Sequence, residues 1–101
     1  KVWMHLMKIL SIDASTISAG AAVIDEGKVL GEITTNTKIT HSQKLMVVID
    51  QLLNDLDLKI GQMDAIAVSV GPGSFTGVRI GMATAMGLVA SQPIPQMVYV
   101  G

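Results

Sequence analysis

The chain has 101 residues with a formal net charge of -1, 50% of them apolar, only 15% charged, and no cysteine, where soluble domains average about 25% charged. The missing cysteines exclude a disulfide framework and a thiolate metal site. Six lysines and Arg79 against eight acidic residues leave no surplus cation for autonomous nucleic-acid binding. The longest uncharged apolar-rich stretch, Ile80 to Ala90, is too short for the ~20 residues of a membrane span. A domain this short buries roughly 65% of its surface. Its apolar content therefore predicts a large apolar face that meets a partner or a further part of a longer protein.

Lys1 to Leu6 do not extend the pattern that begins at Met7-Lys8, so Met7 is the expected natural start, behind a leader of vector origin. Ile9 to Ile12 predicts a short strand ending in the turn chemistry of Asp13-Ala14-Ser15-Thr16. Gly20 to Ile24 predicts a second strand, Glu26-Gly27 a tight turn and Lys28 to Thr34 a third strand, together an antiparallel meander. The small residues of the second strand imply a close approach to its backbone.

Helical spacing begins after Thr40, where Thr40-His41-Ser42-Gln43 has the form of a capping box. The helix is predicted from about His41 to Leu56, with Leu45, Val48, Ile49, Leu52, Leu53 and Leu56 on one broad face that Met46 and Val47 widen. Gly61 closes that unit, and Ala65 to Val70 predicts a strand buried on both sides. The segment Gly71 to Gly77 opens a second helix from about Thr76 to Ala90; Pro93 and Pro95 end it, and Gln96 to Val100 begins a fifth strand. The order βββαβαβ, with parallel crossovers after the meander, describes an α/β lobe of the ribonuclease H-like kind.

Two places suit chemistry. Gly71, Gly73 and Gly77 lie between a strand and a helix N-terminus, where amides and the helix dipole favour a phosphate. The spacing is neither the Rossmann nor the P-loop pattern, and a tight packing turn explains the glycines equally. Asp13, with Ser15 and Thr16, ends the first strand as an acidic residue followed by hydroxyls does in actin-like nucleotide clefts; an Asx-turn is the structural alternative. His5 and His41 form no local metal pair, and His41 suits a cap hydrogen bond. Arg79 opposes the dipole in the first turn of the second helix, which suits an acidic partner, a phosphate contact or solvent. Asp50, Asp55 and Asp57 predict a solvated helix edge. In the second helix Gly77, Gly81 and Ala85 form a small-residue ridge bordered by Thr84, Gly87 and Leu88, with Val78, Met82, Met86 and Val89 apolar elsewhere. The chain contains no cysteine nucleophile, no HExxH and no HxxxH, which argues against a self-sufficient hydrolase.

Ile12-Asp13-Ala14-Ser15, His41-Ser42 with Leu45, and above all Gly71-Pro72-Gly73-Ser74-Phe75-Thr76-Gly77-Val78-Arg79-Ile80-Gly81 resemble the TsaB (YeaZ) family. The likeness runs from Met7 to Gly101 and covers only the N-terminal lobe of the usual family protein, the second lobe being absent. It implies an actin-like, ribonuclease H-like lobe in a bacterial cytoplasmic protein that serves the threonylcarbamoyladenosine (t6A) modification of tRNA. Such proteins resemble the catalytic subunit TsaD without its metal-binding histidines and act as its non-catalytic scaffold and activator, with the ATPase TsaE joining the complex. The resemblance implies no catalytic residue and no metal here, tRNA met only through the complex, and no membrane. It implies pairing through the helices, with Met46, Ile49, Leu53, Val78, Gly81, Met82, Ala85 and Met86 at the interface and a homodimer in isolation. Candidate phosphate-binding residues are Asp13, Ser15, Thr16, Gly71 and Gly73. The lobe by itself is expected to need no cofactor, with ATP and Mg entering in the full complex. The alternative from another class is the nucleotide-binding lobe of an actin-like phosphotransferase or ATPase.

Overall fold

The computed structural model describes residues 7–14, 19–35, 42–69, 81, 83–88, 90 and 96–100. Strand β1 (Lys8–Ala14) pairs antiparallel with β2 (Ala19–Asp25), and β2 pairs antiparallel with β3 (Lys28–Thr35). Strand β4 (Ala65–Ser69) lies parallel to β1, and β5 (Gln96–Val100) parallel to β4, giving a five-stranded sheet of order β3-β2-β1-β4-β5. Helix α1 (Ser42–Asp55) and a 3-10 turn (Ile60–Gln62) connect β3 to β4, and residues 81, 83–88 and 90 belong to a second helix, α2. The mixed sheet with its antiparallel meander is the expected ribonuclease H-like lobe.

The meander turns at Glu26-Gly27, whose φ angles of 52° and 80° are both left-handed, as a type I′ hairpin turn requires. Beyond it the register shifts: Ile24 pairs with Val29 and Val23 with Gly31, so Leu30 is the extra residue of a bulge. Val29 and Leu30 stay exposed there. The small residues of β2 do reflect a close approach, because a Cβ on Gly20 would sit 2.8 Å from the Ile33 carbonyl oxygen.

Alternation along β1 sends Leu10 and Ile12 to the helix-covered face, where they join Val23, Leu45, Ile49, Leu52, Ile66 and Val68 in the main core. Each large aliphatic side chain buried there contributes about 1.5–3 kcal/mol. Ile9, Ala65 and Ala67 point the other way and form a second cluster with Met7 and Ile24. Strand β4 is therefore buried on both faces, as its unbroken apolar run implied. Both α1 and α2 pack on the same face, since Ala85 and Leu88 belong to the main core.

Helix α1 ends by a Schellman pattern rather than by fraying. The Leu58 N–H donates to the Leu53 carbonyl (2.9 Å) and the Asp57 N–H to the Asn54 carbonyl (3.1 Å), with Asp57 in the left-handed region at φ 56°. Leu56, one residue past the helix, lays its side chain over Gly31 of β3. The 3-10 turn is fixed by the Lys59 N–H, which donates to Gln62 Oε1 at 2.7 Å. Asp64 then clips the start of β1 twice: its N–H donates to the Lys8 carbonyl (2.8 Å), and its Oδ2 accepts from the Lys8 N–H (2.9 Å).

Candidate functional site

Parallel pairing of Ile12 with Val68 brings the C-terminal ends of β1 and β4 to one end of the sheet, the end at which parallel sheets usually present ligand-binding loops. Of the candidate phosphate-binding residues, Asp13 lies there and is exposed. Ser15, Thr16, Gly71 and Gly73 lie outside the described residues, as do Arg79, His5, His41 and Thr40.

Asp13 opens onto a trough of about 220 Å³ floored by the side-chain-poor stretch 19–22 and walled by Ser11, Glu32 and Thr34. The floor is low because Gly20 cannot carry a Cβ without meeting the Ile33 carbonyl. Glu32 was not singled out by the sequence; the signal for it is register alone, since it pairs with Ala22 while Asp13 pairs with Gly20. Two exposed carboxylates in one trough repel a bare phosphate and suit a cation or a cation-accompanied phosphate. Among the described residues no three acidic or histidine side chains cluster to hold a metal ion.

The helices are the other candidate surface. Met86 is 55% exposed and Met46 half-buried, packed against the core. Four other expected interface residues need correction. Ile49 and Ala85 are wholly buried, Leu53 is 5% exposed and Gly81 is buried. These four form the lobe's own core because the ridge of Gly81 and Ala85 docks on the sheet; a Cβ on Gly81 would lie 3.5 Å from Val68 Cγ1 and 3.9 Å from Ile12 Cγ2. The close backbone approach that the small residues permit is thus made to β1 and β4. Val78 and Met82 lie outside the described side chains.

What α2 leaves open is a second row of small residues. Ala83, Gly87 and Ala90 are exposed beside Met86, and a Cβ built on Gly87 meets nothing within 4 Å. The four-residue step from Ala83 to Gly87 is visible in the sequence. It is masked there by the parallel step from Gly81 to Ala85, which took the core side. On α1, Val47 is the exposed large apolar residue, at 65%.

Residues 28–100 match the family model described as "TsaD: tRNA N6-adenosine threonylcarbamoyltransferase". The tRNA threonylcarbamoyladenosine biosynthesis protein TsaB of Bacillus subtilis (strain 168) is 43% identical over 88% of this chain, and the protein of that name in Escherichia coli (strain K12) is 32% identical over 90%. In each case the match covers 39% of the relative, so the chain spans about two fifths of the length of these curated relatives. Among solved structures, YeaZ from Pseudomonas aeruginosa superposes with a TM-score of 0.81 at 32% identity, over 94% of this chain and 44% of that one.

Proposed function

The chain belongs to the TsaB (YeaZ) family, and on that premise we propose that it is the N-terminal lobe of a non-catalytic scaffold subunit in the tRNA threonylcarbamoyladenosine pathway. Its task in this reading is to dock a TsaD-like catalytic subunit helix against helix and hold it in its active arrangement. The observation that carries the proposal is the outer face of α2, where Met86 is 55% exposed and Gly87 is open to a neighbouring backbone. A helix that presents small residues and a flexible thioether accepts a second helix closely and without a polar mismatch. A TsaE-like ATPase joins the same assembly, tRNA is met only through it, and the work is cytoplasmic. No helix among the described residues is long and apolar enough to cross a membrane.

In isolation the same face pairs with a second copy, giving a homodimer that competes with the catalytic subunit. The lobe alone needs no cofactor, and ATP with Mg belongs to the full complex.

Light scattering on Met86→Asp, with and without a TsaD-like subunit, tests the proposal. A buried interfacial carboxylate without a partner costs several kcal/mol, so the variant is expected to be monomeric and to lose capture of the catalytic subunit while its circular dichroism is unchanged. Capture at wild-type strength by a folded Met86→Asp chain overturns the reading.

A further inference from the structure

The chain has seven methionines and no cysteine, so the only sulfur it can present to an oxidant is a thioether. The fold sorts the described methionines by access. Met63 is buried in the main core, Met46 and Met7 are partly buried against apolar neighbours, and Met86 is exposed on the outer face of α2. The other described outward residues of α2, Ala83, Gly87 and Ala90, carry at most one side-chain carbon each, so Met86 is the one long apolar side chain among them. None of these residues is polar or charged, and the face therefore holds no described side-chain donor for a new oxygen.

We propose that Met86 is a modification site, oxidised by peroxide to methionine sulfoxide, and that this modification releases the lobe from a helix docked on α2. The inference rests on the docking role of the α2 face and adds its regulation. In the step, a lone pair of the Met86 sulfur attacks one peroxide oxygen, the O–O bond breaks as the S–O bond forms, and a proton shift lets the other oxygen leave as water. The electron pair lost by sulfur reduces the peroxide. A thiol-dependent sulfoxide reductase reverses the change, releasing the oxygen as water and ending with a disulfide in place of its thiols. In the free lobe, water satisfies the sulfoxide oxygen and the core is untouched. Under a docked helix that water is expelled and no side-chain donor replaces it, so a strong acceptor is buried unpaired. Docking in turn covers the sulfur and slows its oxidation, which makes the two events mutually exclusive.

The test treats the full chain with limiting hydrogen peroxide, locates the added oxygen by peptide mass spectrometry and follows capture of a TsaD-like subunit by light scattering. Met86 is expected to take up oxygen before Met46 and Met63, with circular dichroism and Tm unchanged. Kd for the subunit is expected to rise about tenfold or more and to return on treatment with the reductase. Met86→Leu, which has no sulfur at this position, is compared with itself before and after peroxide, and no change in its Kd is expected. Oxidation of Met46 or Met63 ahead of Met86, a Kd unmoved by the Met86 sulfoxide, or an equal peroxide-induced loss in Met86→Leu would each overturn the inference. Its failure is separable from that of the docking role. Loss of capture by Met86→Asp together with full capture by the sulfoxide refutes the modification alone, whereas full capture by both refutes the docking face itself.

Discussion

Gly87 separates what the lobe needs from what a partner needs. It is helical, exposed, and a Cβ built on it meets no atom within 4 Å. Replacing a helical glycine by alanine restricts the unfolded chain and is favourable by about 0.5–1 kcal/mol where the new methyl has room. For a domain of this size 1 kcal/mol moves Tm by about 4–8 °C, so Gly87→Ala is expected to raise the melting temperature by about 2–8 °C in a circular-dichroism melt. Gly87→Leu, whose Cβ likewise meets nothing within 4 Å at an exposed helical position, should also melt no lower than the native chain. Across a helix pair the outcome reverses. A partner backbone packed against Gly87 must retreat from a leucine, at roughly 1–3 kcal/mol, or about 5- to 150-fold in Kd. Titration of each variant with a TsaD-like subunit, following mass by light scattering, reads this directly. A fall in Tm for Gly87→Ala refutes the open outer face. Undiminished capture by Gly87→Leu refutes docking across it.

Three further expectations follow from the backbone. Asp57 adopts φ 56° at the end of α1, so Asp57→Gly is expected to stabilise the chain by about 0.5–1 kcal/mol in urea unfolding with an unchanged m value. Asp64→Ala removes the acceptor for the Lys8 N–H and is expected to cost about 0.5–1 kcal/mol, with faster hydrogen exchange at Lys8; Asp64→Asn, which keeps an oxygen in place, should recover most of it. Gly20→Ala and Gly31→Ala form a matched pair: the first presses on the Ile33 carbonyl at 2.8 Å, the second on the end of Leu56 at 2.9 Å. Backbone cannot yield and a leucine tip can, so Gly20→Ala is expected to lose about 1–3 kcal/mol and Gly31→Ala less than about 1 kcal/mol in the same assay.

The sheet was legible because its signals are local. The short β-favouring run of Ile9 to Ile12, the turn at Glu26-Gly27 and the unbroken apolar run of Ala65 to Val68 each carry their own physical marker, and the strands form where those markers stand. The length of α1 was likewise readable from Leu45, Ile49 and Leu52, which all reach the core. The Schellman ending was not, because it uses an aspartate where glycine is the usual sign. Nor was the bulge at Leu30, since β3 shows no glycine or proline at that residue to announce an extra position.

The partner face was only half legible, and the reason is physical. Amphipathicity assigns a helix its inward side by contrast, and the sequence of α2 offers almost none: the described part has Gly81 and Ala85 on one row and Ala83, Gly87 and Ala90 on another, with no charge between them. Either row could meet the sheet on spacing alone. The choice is made by Ile12 and Val68, whose branched side chains stand under Gly81 and leave room for a backbone but not for a bulky residue. Once that row is committed, Met86 and Gly87 are outside by the geometry of the helix. The same reasoning moves Ile49 and Leu53 from partner surface to core, because a broad apolar face on α1 spends its centre on the sheet and leaves its margins, Met46 and Val47, to anything that docks beside it. A substitution aimed at assembly therefore belongs at the margins, since one at the centre unfolds the lobe and reports nothing about its partner.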